Sequence, residues 1–256
     1  MTATSAPAAF DPRLITPQPG ELKDRVIAVT GPTRGIGHAV ALACARHGAQ
    51  VILIGRNVKK LKVVHAEIEA AGGEATIAVL DLERSIANDY DAVAAGVQEY
   101  YGRLDGLLHN AGLLGTLSPI EHYDVPTWCR VMHVNVTAAF ALTQVLLPAL
   151  KRSQDASVVF TTSGVGRRGR AFWGAYSASK FAVEGLSQVL AAEMEGISQI
   201  RVNALNPGPT RTLMRRQAFP SENPDDLRTP EDIVNAYLAL LGSASRGITG
   251  RSFEAQ

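Results

Sequence analysis

Along the chain, short unbroken apolar runs alternate with longer segments whose apolar positions recur every three or four residues. Residues 26–30, 51–54, 75–80, 106–109, 157–162 and 200–205 are too short to be helices and read as buried strands. Between them, residues 35–47, 58–71, 85–101, 126–150 and 175–194 carry helical spacing, with Gly48 and Gly72-Gly73 as stops and Ser85 as a cap. Short strands separated by helices are the pattern of βαβ units, which build a parallel sheet covered on both faces. The predicted fold is α/β, a Rossmann-type doubly wound parallel sheet of about seven strands in a single domain. Residues 1–20 hold four of the 13 prolines and no periodic pattern, so they read as an N-terminal surface arm on a domain spanning 21–256.

The first strand runs directly into Gly31-Pro32-Thr33-Arg34-Gly35-Ile36-Gly37 and then into a helix. This is Gly-x-x-x-Gly-x-Gly in the strand–turn–helix setting that a dinucleotide fingerprint requires. Gly31 permits a tight turn, Gly35 lets the backbone approach a pyrophosphate, and Gly37 lets the helix pack on the sheet. A tight βα turn without a ligand would use the same glycines. After the second strand, an acid would bond the adenosine ribose hydroxyls and repel a 2′-phosphate. Here Ile54-Gly55-Arg56-Asn57 has no acid, and Arg34 in the glycine turn is a second candidate cation. Charge-assisted bonds of about 1.5–3 kcal/mol each then favour NADP(H) over NAD(H), unless both arginines are simply solvated. After the third strand, Asp81-Leu82 suits either an adenine edge or the cap of the next helix.

Tyr176-Ser177-Ala178-Ser179-Lys180 puts a phenol and an ammonium four residues apart, on one face of a helix. A neighbouring ammonium favours the phenolate and is expected to lower the phenol's pKa, tuning it for proton transfer at a carbonyl or alcohol oxygen. Ser163 follows the apolar strand on its carboxyl side, with Thr161 and Thr162 as neighbours that could be mistaken for it. Asn135 falls on the apolar stripe Trp128, Val131, Met132, Ala139, Leu142 and Leu146, where a buried amide needs partners. Asn110-Ala111-Gly112 ends the fourth strand with small residues that leave room for a cofactor.

The ordered set of Thr30-Gly31, Gly35-Ile36-Gly37, Asn110-Ala111-Gly112, Asn135, Ser163, Tyr176, Lys180 and Asn206-Pro207-Gly208 resembles the short-chain dehydrogenase/reductase family. The phrases 164–170, 173–176, 206–212 and 253–256 more narrowly resemble the bacterial YciK-like oxidoreductases. His109, where an Asn is usual, and Pro32 in the glycine turn depart from the family pattern. The resemblance implies an NADP(H)-dependent oxidoreductase acting on a small carbonyl or alcohol. Tyr176 would be its acid or base, Lys180 the group that lowers its pKa and holds the ribose, and Ser163 the anchor of the substrate oxygen. Asn135 would position a water linking Lys180 to solvent. The cofactor would lie against Gly31, Thr33, Arg34, Gly35, Ile36, Gly37, Arg56, Asp81, Leu82, Asn110, Ala111, Gly112, Tyr176, Lys180, Pro207, Gly208 and Thr210. Epimerisation or dehydration with a retained cofactor, and non-catalytic nucleotide sensing, are the other readings of such a chain.

The resemblance also implies a substrate lid over residues 209–227. Arg211, Arg215 and Arg216 there, with Arg167, Arg168 and Arg170 after Ser163, either attract an anionic carbonyl compound or are solvated charges. Leu113, Leu114, Trp173 and Phe219 suggest an apolar pocket wall. Ala182 and Gly185 would permit close pairing of two copies, as a homodimer or homotetramer. A net charge of +1 gives no reason to expect nucleic acid or an anionic membrane as partner. The longest apolar stretch, 138–150, is too short to span a bilayer, and the N-terminus has no signal-peptide pattern. Cys44 and Cys129 have no CxxC spacing, no metal ligands are assigned, and the expected location is cytoplasmic.

Overall fold

The computed structural model describes residues 10–256. Its strands are β1 (Val26–Thr30), β2 (Gln50–Gly55), β3 (Glu74–Val79), β4 (Gly106–His109), β5 (Ser157–Thr161), β6 (Arg201–Asn206) and β7 (Ser252–Glu254). All pair in parallel, in the order β3-β2-β1-β4-β5-β6-β7. Val29 sits between Leu53 of β2 and Leu108 of β4, so the strand order reverses beside β1. In an open parallel sheet, the crevice outside the carboxyl ends at that reversal is where ligands bind.

Both faces of the sheet are covered, which is why β1, β4 and β5 are apolar without alternation. Helices α1 (Gly35–Arg46), α2 (Val58–Ala70) and α8 (Val234–Leu241) pack on one face. Val29, Leu53, Leu61, Tyr237 and Leu240 share that core. Helices α3 (Ala87–Tyr101), α5 (Ala138–Lys151) and α6 (Gly174–Met194) cover the other, with Leu107, Leu142, Leu146, Val158, Phe160 and Val183 between them. The short helices α4 (Val125–Met132) and α7 (Leu213–Ala218) lie at the carboxyl end of the sheet's connections.

Two element expectations need correction. The long helix predicted over 126–150 is two helices, α4 and α5, joined by a π-helical turn, His133–Thr137, in which the Ala138 amide donates to the His133 carbonyl. Such turns interrupt helices at functional sites, and Asn135 lies in this one. Ser85 does not cap α3. Its own amide is bound by the Asp81 carbonyl at 2.8 Å, and Asp89 instead accepts the Ile86 amide at 2.8 Å. Strand β7 has only three residues, too few to leave a pattern. Of the predicted arm, residues 1–9 lie outside the described part. In the remainder, Pro12 and Pro17 are buried and Phe10 lies edge-on to Phe253 at 5.5 Å.

The helical run 125–151 is long and apolar enough to cross a membrane by length and composition alone. Its inner side, Ala138, Leu142, Leu146 and Leu150, is fully packed in the domain core.

Candidate active site

The crevice is built from the carboxyl ends of β1, β4, β5 and β6. On the β1 side, Gly31 (φ +66°) and Gly35 (φ +56°) take left-handed conformations that favour glycine. A Cβ on Gly37 would stand 2.4 Å from the Gly31 carbonyl oxygen and from Asn110 Nδ2, so no larger residue fits. Arg34 precedes α1 without capping it through its side chain, so the first amides of this 12-residue helix have no side-chain cap. Thr30 ties the turn to β4. Its Oγ1 accepts the amides of Asn110 (3.0 Å) and Ala111 (3.1 Å), and Asn110 Nδ2 donates to the Thr30 carbonyl at 3.3 Å. These features fit a dinucleotide diphosphate on the glycine turn: a narrow backbone cradle and amide donors at a helix start.

The adenosine end is less simple than the sequence suggests. Arg56 is exposed but bound to carboxylates, Glu83 at 3.1 Å and Asp81 at 3.7 Å. Glu83, which sequence reasoning missed, is held in turn by Arg130 at 2.7 and 3.0 Å. Bonding to Arg130 and then Arg56 keeps the Glu83 carboxyl below its ordinary range despite partial burial. Asp81 neither caps α3 nor stands free; it accepts the Glu83 amide at 3.1 Å within the turn, with Leu82 half-buried beside it. Arg34 is exposed, with Thr33 and Ile36 half-buried around it. The two arginines singled out for a 2′-phosphate therefore differ: Arg56 has carboxylate partners, whereas Arg34 forms no ion pair with the described residues.

Tyr176 and Lys180 are both buried, on the inward face of α6. Lys180 Nζ donates to the Thr161 carbonyl at 2.6 Å and stands 5.6 Å from the centre of the Tyr176 ring. The expected lowering of the phenol pKa is not found. Burial pushes Tyr176 up to about 12, against a hydrogen bond with the Ser163 side chain that acts to lower it. Burial also brings Lys180 down to about 8, partly offset by the Glu184 carboxylate one turn along. The reason is desolvation: each charged form loses water, and the ammonium is committed to a carbonyl rather than to the phenol.

Asn135 is buried with its amide almost fully used. Oδ1 accepts the Leu113 amide at 2.7 Å, and Nδ2 donates to the Leu113 carbonyl and to Ser179 Oγ, both at 2.9 Å. Ser179 Oγ donates onward to the Tyr176 carbonyl at 2.8 Å. Asn135 thus fixes the loop after β4 against the helix that carries the phenol, leaving one lone pair for any water. A Cβ on Gly112 would be 3.4 Å from Asn135 Oδ1 and 4.0 Å from Lys180 Nζ, which explains the small residues there. His109 is buried beneath them, stacked on Phe160 at 4.7 Å. Thr143 Oγ1 gives its proton to the Ala139 carbonyl, so at 2.8 Å His109 Nε2 must be the donor to it. Burial, with Lys180 nearby, lowers the His109 pKa to about 3, and the ring stays neutral.

On the β6 side, Gly208 (φ +69°) follows Pro207, and its amide is held by Asn206 Oδ1 at 3.1 Å. Gln256, also missed as a site residue, clamps this turn through Nε2, to the Pro207 carbonyl at 2.6 Å and the Pro209 carbonyl at 3.0 Å. Thr210 is buried, its Oγ1 on the Pro207 carbonyl at 3.3 Å. At the mouth, the Trp173 ring lies 5.9 Å from Tyr176 and 5.6 Å from Phe219. The arginines part company here. Arg167 turns to Glu184 (3.2 Å), Glu254 and the Phe253 carbonyl (3.0 Å). Arg215 binds Glu222 through two contacts of 2.6 and 2.5 Å, and Arg211 reaches Asp225 at 3.3 Å.

A doubly wound sheet with a glycine cradle, a buried Tyr–Lys pair and a serine beside the phenol defines a class of dinucleotide-dependent oxidoreductases. The chain belongs to the short chain dehydrogenase family, whose profile matches residues 25–223. It is 50% identical over 241 residues to the uncharacterized oxidoreductase YciK of Escherichia coli K12, covering 94% of this chain and 95% of that protein. A short chain dehydrogenase from Pseudomonas syringae superposes with a TM-score of 0.93 at 52% identity, covering 94% of this chain and 98% of that one. Another, from Escherichia coli CFT073 and solved with NADPH, gives 0.91 at 51% identity, covering 94% of this chain and all of that one.

Proposed function

We propose that the protein reduces a small carbonyl compound, or oxidises the matching alcohol, with NADP(H) preferred over NAD(H), and works as a homodimer or homotetramer in the cytoplasm. The observation that carries the reading is the buried Tyr176 phenol, with Ser163 acting on it from the end of β5 and Lys180 behind it on one helical face. Bound nicotinamide would supply or accept the hydride. With a pKa near 12, Tyr176 keeps its proton at neutral pH and can give it from Oη to a carbonyl oxygen. Ser163 would share that oxygen. Lys180, with one N–H on the Thr161 carbonyl, has two donors left for ribose hydroxyls. Asn135 positions the Leu113 loop and the Ser179 turn around them. NADPH-bound relatives and the absence of an acid directly after β2 support NADP(H), with Arg34 as the cation free for the 2′-phosphate. The joint presence of Ser163, Tyr176, Lys180 and Asn135 argues against a pure nucleotide sensor. Two unpaired thiols, one buried and one exposed, fit a reducing compartment.

NADPH and NADH oxidation against a panel of ketones, aldehydes and quinones tests this. Turnover with NADPH is expected, falling about 10²–10⁴-fold in Tyr176→Phe while NADPH binding is kept. Full activity in that variant removes Tyr176 from the chemistry, and a preference for NADH removes the cofactor argument.

A further inference from the structure

The rings of Tyr176, Trp173 and Phe219 form a continuous wall leading from the phenol to the mouth of the crevice. Two guanidinium groups stand on that wall. Arg215 lies 3.8 Å from the Phe219 centroid, but its charge is met by Glu222. Arg170 lies 5.0 Å from Phe219 and 5.7 Å from Trp173 and has no carboxylate within ion-pair distance among the described residues. Arg168 and Arg216 also lack carboxylate partners among the described residues, but neither stacks on these rings.

The turn that carries Arg170 is held against its conformational preference. Phe172 has φ +73°, an outlying value for a bulky side chain. The strain is kept by the Trp173 amide on the Arg170 carbonyl (3.2 Å) and the Ser118 amide on the Phe172 carbonyl (3.0 Å). Strained backbone persists where the surroundings over-determine it, commonly at ligand sites. Here it sets one uncompensated cation on an aromatic wall, two ring contacts from the reacting hydroxyl. Stacking has already restricted the guanidinium, so it gives up less freedom when an anion arrives, and its planar donors match carboxylate and phosphate oxygens.

We propose that Arg170 is a specificity-determining residue of this crevice and that the substrate is a carbonyl compound bearing a carboxylate or phosphate on an apolar skeleton. The assignment rests on the carbonyl-reduction reading for its chemistry, but its binding test stands apart from turnover. Calorimetry would compare 4-formylbenzoate, 4-formylphenyl phosphate and methyl 4-formylbenzoate on the whole protein, with and without NADPH. At least one anion should bind ten- to a hundredfold more tightly than the ester, the size of a charge-assisted bond. Whichever anion gains more identifies the natural group as carboxylate or phosphate. Arg170→Gln should erase the gain and leave the ester unchanged, Arg170→Lys should keep part of it, and Arg216→Gln should keep all of it. Equal affinities in the unaltered protein overturn the proposal. So does a preference that survives Arg170→Gln or is lost in Arg216→Gln instead. Anion binding without NADPH oxidation would sink the reductase reading alone, whereas turnover indifferent to the anion would sink the role of Arg170 alone.

Discussion

Tyr176 and Lys180 are four residues apart, and that spacing alone suggested a phenol made acidic by its neighbour. In the fold, desolvation outweighs that attraction: the phenol is raised to about 12 and the ammonium lowered to about 8. The consequence is a sign that can be checked. Lys180 is charged below pH 8 and loses its proton as pH rises through that value, whereas Tyr176 remains a phenol throughout. For NADPH-driven reduction, kcat/KM, which reports the free enzyme, is therefore expected to fall above pH about 8. Alcohol oxidation needs the phenolate and should have its optimum at a more alkaline pH than reduction. Rate profiles in both directions measure this; a reduction profile flat to pH 10 would show that the Lys180 charge is not needed.

Elements, rather than single residues, decide how the adenosine end is read. The turn between β3 and α3 brings Glu83 against Arg56 from the end of β2 and Arg130 from α4. None of these three is near another in sequence, so the absence of an acid after β2 could be read but the acid arriving from β3 could not. Arg56 and Arg130 are both more than half exposed, so each bond is worth far less than a buried one. Glu83→Gln should release Arg56 and increase the NADPH-over-NADH preference a fewfold, measured as the ratio of kcat/KM values. An unchanged ratio would mean that Arg56 takes no part in the choice. The π-helical turn is a similar case: 3–4 spacing persists through 128–146, while one extra residue per turn at 133–137 aims Asn135 at Leu113 and Ser179.

At the scale of the whole molecule, the two ends of the sheet are built differently. The amino end is closed by largely buried ion pairs, with Asp155 bound to the part-buried Arg25 at 3.0 Å and to the buried Arg201 at 2.9 Å. The carboxyl end has glycines, unfilled donors and uncompensated cations instead. On the outer side of α5 and α6, Phe140, Phe181 and Val189 are about half exposed, with Gly185 open beside them. Exposed large apolar side chains on two helices, with a glycine allowing close approach, are compatible with a two-fold interface. Light scattering should give at least twice the 27.2 kDa chain mass. Phe181→Asp is expected to reduce it to the monomer; a monomer without that change removes the interface.

Six of the seven strands, the α/β order and the glycine turn were legible because they are local: period, length and φ > 0 positions are written in consecutive residues. So was the placing of the candidates Ser163, Tyr176, Lys180 and Asn135 at a strand end or on a helix face. Partners such as Glu83 for Arg56, Thr161 for Lys180 and Gln256 for the Pro207 turn come from elements distant in sequence. Only packing reveals them. The same holds for the titration of Tyr176 and Lys180 and for which arginines keep an unspent charge, because desolvation and pairing depend on what surrounds a group in space. The chain's own order thus specified the scaffold and the chemical groups, and the folded neighbourhood set their charge states and their targets.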